Sequence, residues 1–289
     1  MRALPPKRSF LEARNPPRPA AIILGAPLDL TECVRSGTAE APARVREASH
    51  VLESYSPQLQ MDLADILLSD WGDLPLEGLE MDAALDAICD GMERAVGQGL
   101  ALLIGGEHTV TVGAVRGAHR RYSNLVLIHV DAHLDLRDEY EGVRVSHATV
   151  IRRVADEIGL GRIVQCGIRS GTREEFELAR HCLASGPGLH LDRAVRDRIR
   201  SRPVYLTIDI DVLDPAVAPG TGCPEPGGAT FPELLSFIHS LRELRVVAVD
   251  VTEVLPSVDV NDVTSVAAAK IIREAALAFT PGRGIGVGG

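Results

Sequence analysis

The chain has 289 residues, 45 % of them apolar and only 3 % aromatic, so aliphatic side chains must fill its core. A formal charge of -10 and a pI of about 5.4 exclude the basic surface expected of a nucleic-acid binder and modestly favour cationic ligands. The five cysteines (Cys33, Cys89, Cys166, Cys182, Cys223) form no Cys-x-x-Cys pair, which excludes a disulfide framework and indicates a reducing compartment. No apolar run approaches the ~20 residues of a membrane span. Residues 1–10 lack the apolar stretch of a secretory leader, so the cytoplasm is the expected location.

In chain order, the Pro-rich residues 1–20 read as an extended arm. Strands are expected at 21–24, 66–68, 101–104, 125–130, 162–166, 204–208 and 246–251. Helical spacing marks 82–96, 146–158, 173–183, 231–241 and 264–278. Residues 219–228 are a Gly/Pro-rich loop, and the Gly-rich residues 282–289 read as a flexible tail. Buried strands alternating with helices predict an α/β fold with a parallel sheet covered on both faces. No low-complexity linker divides the chain. In such sheets the ligand site lies beyond the carboxyl ends of the strands.

Two carboxylate clusters sit at such ends. Asp131-Ala132-His133-Leu134-Asp135 follows the strand at 125–130. Residues two apart in a strand share a face, so Asp131, His133 and Asp135 converge if the chain stays extended past Val130. Carboxylates there are costly without a positive partner, and carboxylate plus imidazole suits Mn, Fe, Zn, Co or Ni. The alternative is an Asp/His-rich turn that caps the next helix. Asp209 and Asp211 repeat the logic after 204–208, while Asp214, before Pro215, reads as a turn residue. A pair of divalent cations would supply hydroxide at neutral pH.

Three further segments carry chemistry. Gly105-Gly106-Glu107-His108-Thr109 ends a strand and opens a helix, and His108 is placed as a ligand from a third strand. His129, inside an apolar run, reads as a core histidine. His147, in Ser146-His147-Ala148-Thr149, can move protons near neutral pH or simply cap its helix. Glu253 ends another buried strand and can pair with a cationic substrate group or form a structural salt bridge.

Together, Gly-Gly-Glu-His, Asp-Ala-His-Leu-Asp, Ser-His-Ala-Thr, Asp-Ile-Asp-Val-Leu-Asp-Pro and Val-Thr-Glu-Val resemble the ureohydrolase family of arginases, agmatinases and relatives. The resemblance runs from Ile22 to the last helix. It implies a single α/β/α sandwich domain over 1–289, a homotrimer or homohexamer, and two Mn2+ per chain, with Ni2+ or Co2+ as alternatives. By motif position it implies that His108 and Asp135 bind one metal, His133 and Asp211 the other, and Asp131 and Asp209 both. It further implies that Glu253 holds a guanidinium and His147 shuttles a proton as urea and an amine are released. Two departures stand out: Cys223 lies where the family more often has threonine, and Ala39 where an arginine is common.

The substrate is expected to be a small cationic guanidino compound, most similarly to agmatinases: agmatine, cleaved to putrescine and urea. Arginases tend to carry asparagine where this chain has Arg137, and acidic residues where it has Ser170-Gly171-Thr172. Asp138, Glu139 and Glu141 are candidates for the distal ammonium. Arg137 favours instead a carboxylate-bearing substrate such as 4-guanidinobutyrate. N1-aminopropylagmatine, guanidine, arginine and formiminoglutamate are the other substrates considered. A one-zinc deacetylase on a related fold and a non-catalytic metal-binding protein are the rival classes.

Overall fold

A computed structural model describes residues 3–31 and 35–280. The elements in chain order are β1 (Ala21–Ala26), α1 (Ala41–Ser49), β2 (Tyr55–Ser56), β3 (Met61–Asp62), β4 (Leu68–Asp73), α2 (Met81–Val96), β5 (Leu100–Gly105), α3 (Val110–Arg121), β6 (Val126–Val130), α4 (Val150–Ile158), β7 (Ile163–Cys166), α5 (Arg173–Ala179), β8 (Ala184–Gly186), α6 (Arg193–Ile199), β9 (Pro203–Asp209), α7 (Phe231–Ser240), β10 (Arg245–Thr252) and α8 (Val263–Phe279). Eight strands form one sheet in the order β4-β1-β5-β10-β9-β6-β7-β8. Every pairing in it is parallel. β2 and β3 form a small antiparallel hairpin apart from it.

Both faces of the sheet are covered, which is why strands such as β1, β5, β6 and β9 are apolar at nearly every position. In β1, Ala21 and Ile23 join the core shared with α1, α7 and α8. Ile22, Leu24 and Ala26 point the other way, into the core shared with α2, α3 and α4. The result is the expected three-layer α/β/α sandwich. On the second face, α2 and α3 approach closely because α3 carries Gly113 and Gly117. A Cβ there would lie 2.6 Å from the Leu85 carbonyl oxygen and 2.3 Å from that of Cys89.

Two expectations need correction, and two helices went unforeseen. The strand expected at 66–68 is β4, Leu68–Asp73. Its Asp70 is buried, a residue that an apolar count passes over. The buried Arg46 guanidinium neutralises it, with Nε 2.8 Å from Asp70 and Nη1 2.6 Å from Asp73. The helix expected at 173–183 stops at Ala179, where the chain turns into β8. α1 and α6 were not anticipated from periodicity.

The arm at 1–20 has no regular element among its described residues, yet it is docked. Phe10 is buried and donates its amide to Asp70, and Leu4 exchanges two backbone hydrogen bonds with Asp73. Residues 282–289 and Cys33 lie outside the described residues. No helix among the described residues is long and apolar enough to cross a membrane.

Candidate metal centre and active site

Four neighbouring strands, β5, β10, β9 and β6, end at one place. Pairing of Val130 with Ile208 sets Asp131 and Asp209 side by side. Pairing of Val251 with Ile104 and with Ile208 brings the ends of β5 and β10 to the same level. The loop after β5 needs glycine at 106, because a Cβ there would lie 2.0 Å from the Leu28 carbonyl oxygen. Gly106 receives the amide of Glu253, so this loop also anchors the turn after β10.

The chain does not stay extended past Val130. It turns, and Asp135 takes a left-handed φ of 52°. The two carboxylates and the imidazole of this segment consequently part. Asp131 and Asp135 reach His108 Nδ1, each at 3.2 Å, and Asp209 reaches it at 3.3 Å. His133 turns to Asp211, with Nδ1 2.9 Å from Oδ2 and 3.6 Å from Asp131.

Two groups with a shared member result: His108, His129, Asp131 and Asp135, then Asp131, His133 and Asp211. Within each group the ligand atoms lie within 4.8 Å of one another.

The electrostatics call for cations. His108 Nδ1 is buried and makes no hydrogen bond, although three carboxylates face it. Burial pushes Asp209 well above the usual carboxylate range, helped by the charges of Asp211 and Asp131. Burial likewise raises Asp211. Burial opposes a charge on His133 too, but Asp131 and Asp211 outweigh it and hold the imidazole above its ordinary value. Buried carboxylates that repel each other and borrow protons from histidines suit divalent cations.

The supports of these residues are well defined. His108 Nε2 meets Thr207 Oγ1 at 3.0 Å, which leaves Nδ1 toward the carboxylates. Asp250 accepts from Thr111 and Tyr205 beneath them. Reading His129 as a mere core histidine is too narrow. It is buried, but Nε2 lies 2.8 Å from Asp131 Oδ2. The Gln165 amide donates to its Nδ1 at 3.2 Å, which fixes the tautomer that donates to Asp131. The i, i+2 spacing of His129 and Asp131 was the available signal. Arg169 ties the loops together by donating to the carbonyl oxygens of Asp211 and Glu225. Asp214 is a turn residue, accepting from the amides of Ala216, Gly227 and Gly228.

His147 stands across the cleft, half-buried. Its Nδ1 donates to the Thr31 carbonyl oxygen. Its amide donates to Thr31 Oγ1 at 3.1 Å. Thr31 is in turn held by the buried Glu107, whose Oε2 accepts the amides of Leu30 at 2.7 Å and Thr31 at 2.6 Å. Burial lowers the His147 pKa below its ordinary value. Glu253 has a left-handed φ of 64° and accepts the His108 amide at 2.6 Å. Burial pushes its carboxyl up to about 8.

All eight anticipated site residues line one cleft of about 270 Å3, at the small end for ligand pockets. Asp138, Glu139 and Glu141 do not line it. Asp138 points outward, 2.5 Å from Arg153. The wall is made instead by Arg137, Tyr140 and Glu175. Glu175 was missed because its acidic side chain also closes a capping box with Thr172, which gave it a sufficient local explanation.

The profile of the Arginase family matches residues 19–278. An agmatinase of Bacillus subtilis is 42 % identical over 270 residues, covering 90 % of this chain and 91 % of that protein. An agmatinase of Bacillus anthracis is 43 % identical over 264 residues, covering 89 % and 91 %. The crystal structure of the agmatine ureohydrolase of Thermoplasma volcanium matches with a TM-score of 0.84 at 32 % identity, covering 94 % of each chain. A shared fold, and sequence identity across nine-tenths of the chain, carry one conclusion: the chain belongs to the arginase family, hydrolases acting on amidine C–N bonds.

Proposed function

We propose that the chain cleaves agmatine to putrescine and urea with two Mn2+ ions. His108 and Asp135 would hold one ion, His133 and Asp211 the other, and Asp131 and Asp209 both. The observation that carries this reading is the division of the ligand atoms into two groups that share Asp131. The buried, unbonded Nδ1 of His108 and the mutual repulsion of Asp209 and Asp211 fit the same donor set. When bound, such ions supply a water acidic enough to act as nucleophile near neutral pH.

The protein's own groups do the rest. Glu253, fixed through the His108 amide, presents a carboxylate that matches the planar fork of a guanidinium. The substrate's positive charge favours the ionised carboxylate that burial disfavours. His147 donates through Nδ1 to Thr31, so Nε2 is the nitrogen that takes up a proton and delivers it to the departing amine. At about 270 Å3 the cleft is of a size for a small substrate.

The test is urea release across agmatine, arginine, N1-aminopropylagmatine, 4-guanidinobutyrate and guanidine, with Mn2+ and then Ni2+. Agmatine is expected to give the highest kcat/KM. Urea from arginine with none from agmatine would sink the assignment. One observation favours a second reading: Arg137 in the cleft wall suits the carboxylate of 4-guanidinobutyrate.

A further inference from the structure

We infer that Arg137 is an exchangeable counter-ion that covers Glu175 in the cleft wall and gives way to the distal ammonium of a substrate. The Arg137–Glu175 pair then determines which guanidino compounds the enzyme accepts. This inference rests on the proposed cationic substrate and assigns the recognition of its far end.

The two partners are held very differently. Glu175 is rigid. Its side chain is 5 % exposed, and Oε1 accepts the Leu136 amide at 2.9 Å while Oε2 accepts the Thr172 amide at 2.8 Å. Each carboxylate oxygen has a second lone pair, so Glu175 still has acceptor capacity toward the cleft. Arg137 is the loose partner. It is 40 % exposed, and its closest approach to Glu175 is Nε at 3.4 Å, longer than the hydrogen bonds that make such pairs strong. Its guanidinium carbon lies 5.2 Å from the centre of the Tyr140 ring, and that ring meets the His147 ring edge-on at 5.4 Å.

The preorganised charge in this wall is therefore negative and the mobile one positive. A long, half-exposed ion pair of this kind is weak and screened by solvent. An incoming ammonium that replaces it keeps Glu175 paired, whereas a neutral tail leaves the original pair intact. A distal carboxylate would have to approach the fixed Glu175. As Arg137 leaves Glu175 it still has the Tyr140 face available, so it need not withdraw into solvent.

The experiment compares Mn2+-loaded wild type with Arg137→Gln, Arg137→Lys and Glu175→Gln. Urea is measured from agmatine, 1-butylguanidine and 4-guanidinobutyrate, whose tails are cationic, neutral and anionic. Wild-type turnover of agmatine tests the proposed activity by itself. For the exchange, Arg137→Gln should lower the agmatine KM about fivefold relative to that of 1-butylguanidine. Arg137→Lys should stay closer to wild type in this ratio. Glu175→Gln should raise the ratio about tenfold. Ratios of KM within one variant cancel any loss of folded enzyme. Equal shifts for the two substrates, or a raised relative KM for agmatine in Arg137→Gln, overturn the exchange and leave the activity standing. No wild-type urea from agmatine, with 4-guanidinobutyrate turned over and its KM raised in Arg137→Gln, overturns both.

Discussion

His147 donates through Nδ1 to the carbonyl oxygen of Thr31, a contact that decides which imidazole nitrogen faces the cleft. Thr31 is itself held by Glu107, so the glutamate of Gly-Gly-Glu-His acts on His147 from a distance. His147→Gln is expected to lower kcat by about 10²-fold, the ordinary worth of a proton-transfer group. Glu107→Gln loses part of the anchor and should lower kcat by about tenfold.

The pH profile separates these effects. Burial holds His147 below its ordinary value of 6.5, and nearby cations would push the same way. Wild-type kcat should therefore fall only as pH drops below that value. Weakening the Thr31 contact in Glu107→Gln removes an interaction that favours the charged imidazole, so this acid limb should move further down. An unmoved limb at lowered kcat would assign Glu107 to something other than His147.

Asp209 should respond oppositely with and without metal. Burial and two neighbouring carboxylates favour its protonated form in the cation-free protein. Asparagine resembles that form, so Asp209→Asn should cost under about 1 kcal/mol in chelator. The rise in Tm on adding Mn2+ should shrink in the variant, because linkage scales with metal affinity. Thermal unfolding in chelator and in Mn2+ checks both, and an undiminished Mn2+ gain would exclude Asp209 as a ligand.

His129 is expected to act on metal affinity through Asp131. Replacing it by alanine removes the 2.8 Å contact with that carboxylate and leaves the Gln165 amide without its acceptor there. Such outer partners are typically worth 10–100-fold in metal affinity. Competition with a chelator measures the change. Retention of wild-type affinity would make His129 a core residue after all.

Glu274 gives a pH dependence of stability far from the cleft. Burial works against its charge, but Arg273 foremost, with Ser56 and His239, outweighs it and holds the pKa below the ordinary 4.5. A depressed carboxylate contributes stability above the unfolded-state value and loses it as pH falls through the folded-state value. Glu274→Gln should be less stable at pH 7 by on the order of 3 kcal/mol. The gap should close in acid, below 4.5, as the wild type loses this contribution. Urea denaturation at the two pH values tests the sign.

Much of this molecule is legible in its residues, and the gaps have physical causes. The strands β1, β5, β6, β9 and β10 could be read because burial on both faces makes them continuously apolar. The strand β4 was misplaced because Asp70 is tolerated only through Arg46, a partner 24 residues away. The insertion of β10 between β5 and β9 is a long-range pairing that no local pattern encodes. Within the cleft, the proposed metal ligands announce themselves as clusters at strand ends. Glu175 does not, because it looks like an ordinary helix-capping residue until the loops are folded together.

The strand order also has a kinetic consequence. β5 and β6 follow each other in the chain, yet they stand apart with β10 and β9 between them. His108 and Asp131 can meet the carboxylates of β9 only once two strands from the last third of the chain have been threaded into the middle of the sheet. Pairings of such long sequence separation form slowly. Metal affinity should thus be acquired late, and all at once, as the chain refolds. A partly folded intermediate holding β1, β5 and β6 would bind Mn2+ no better than scattered carboxylates do.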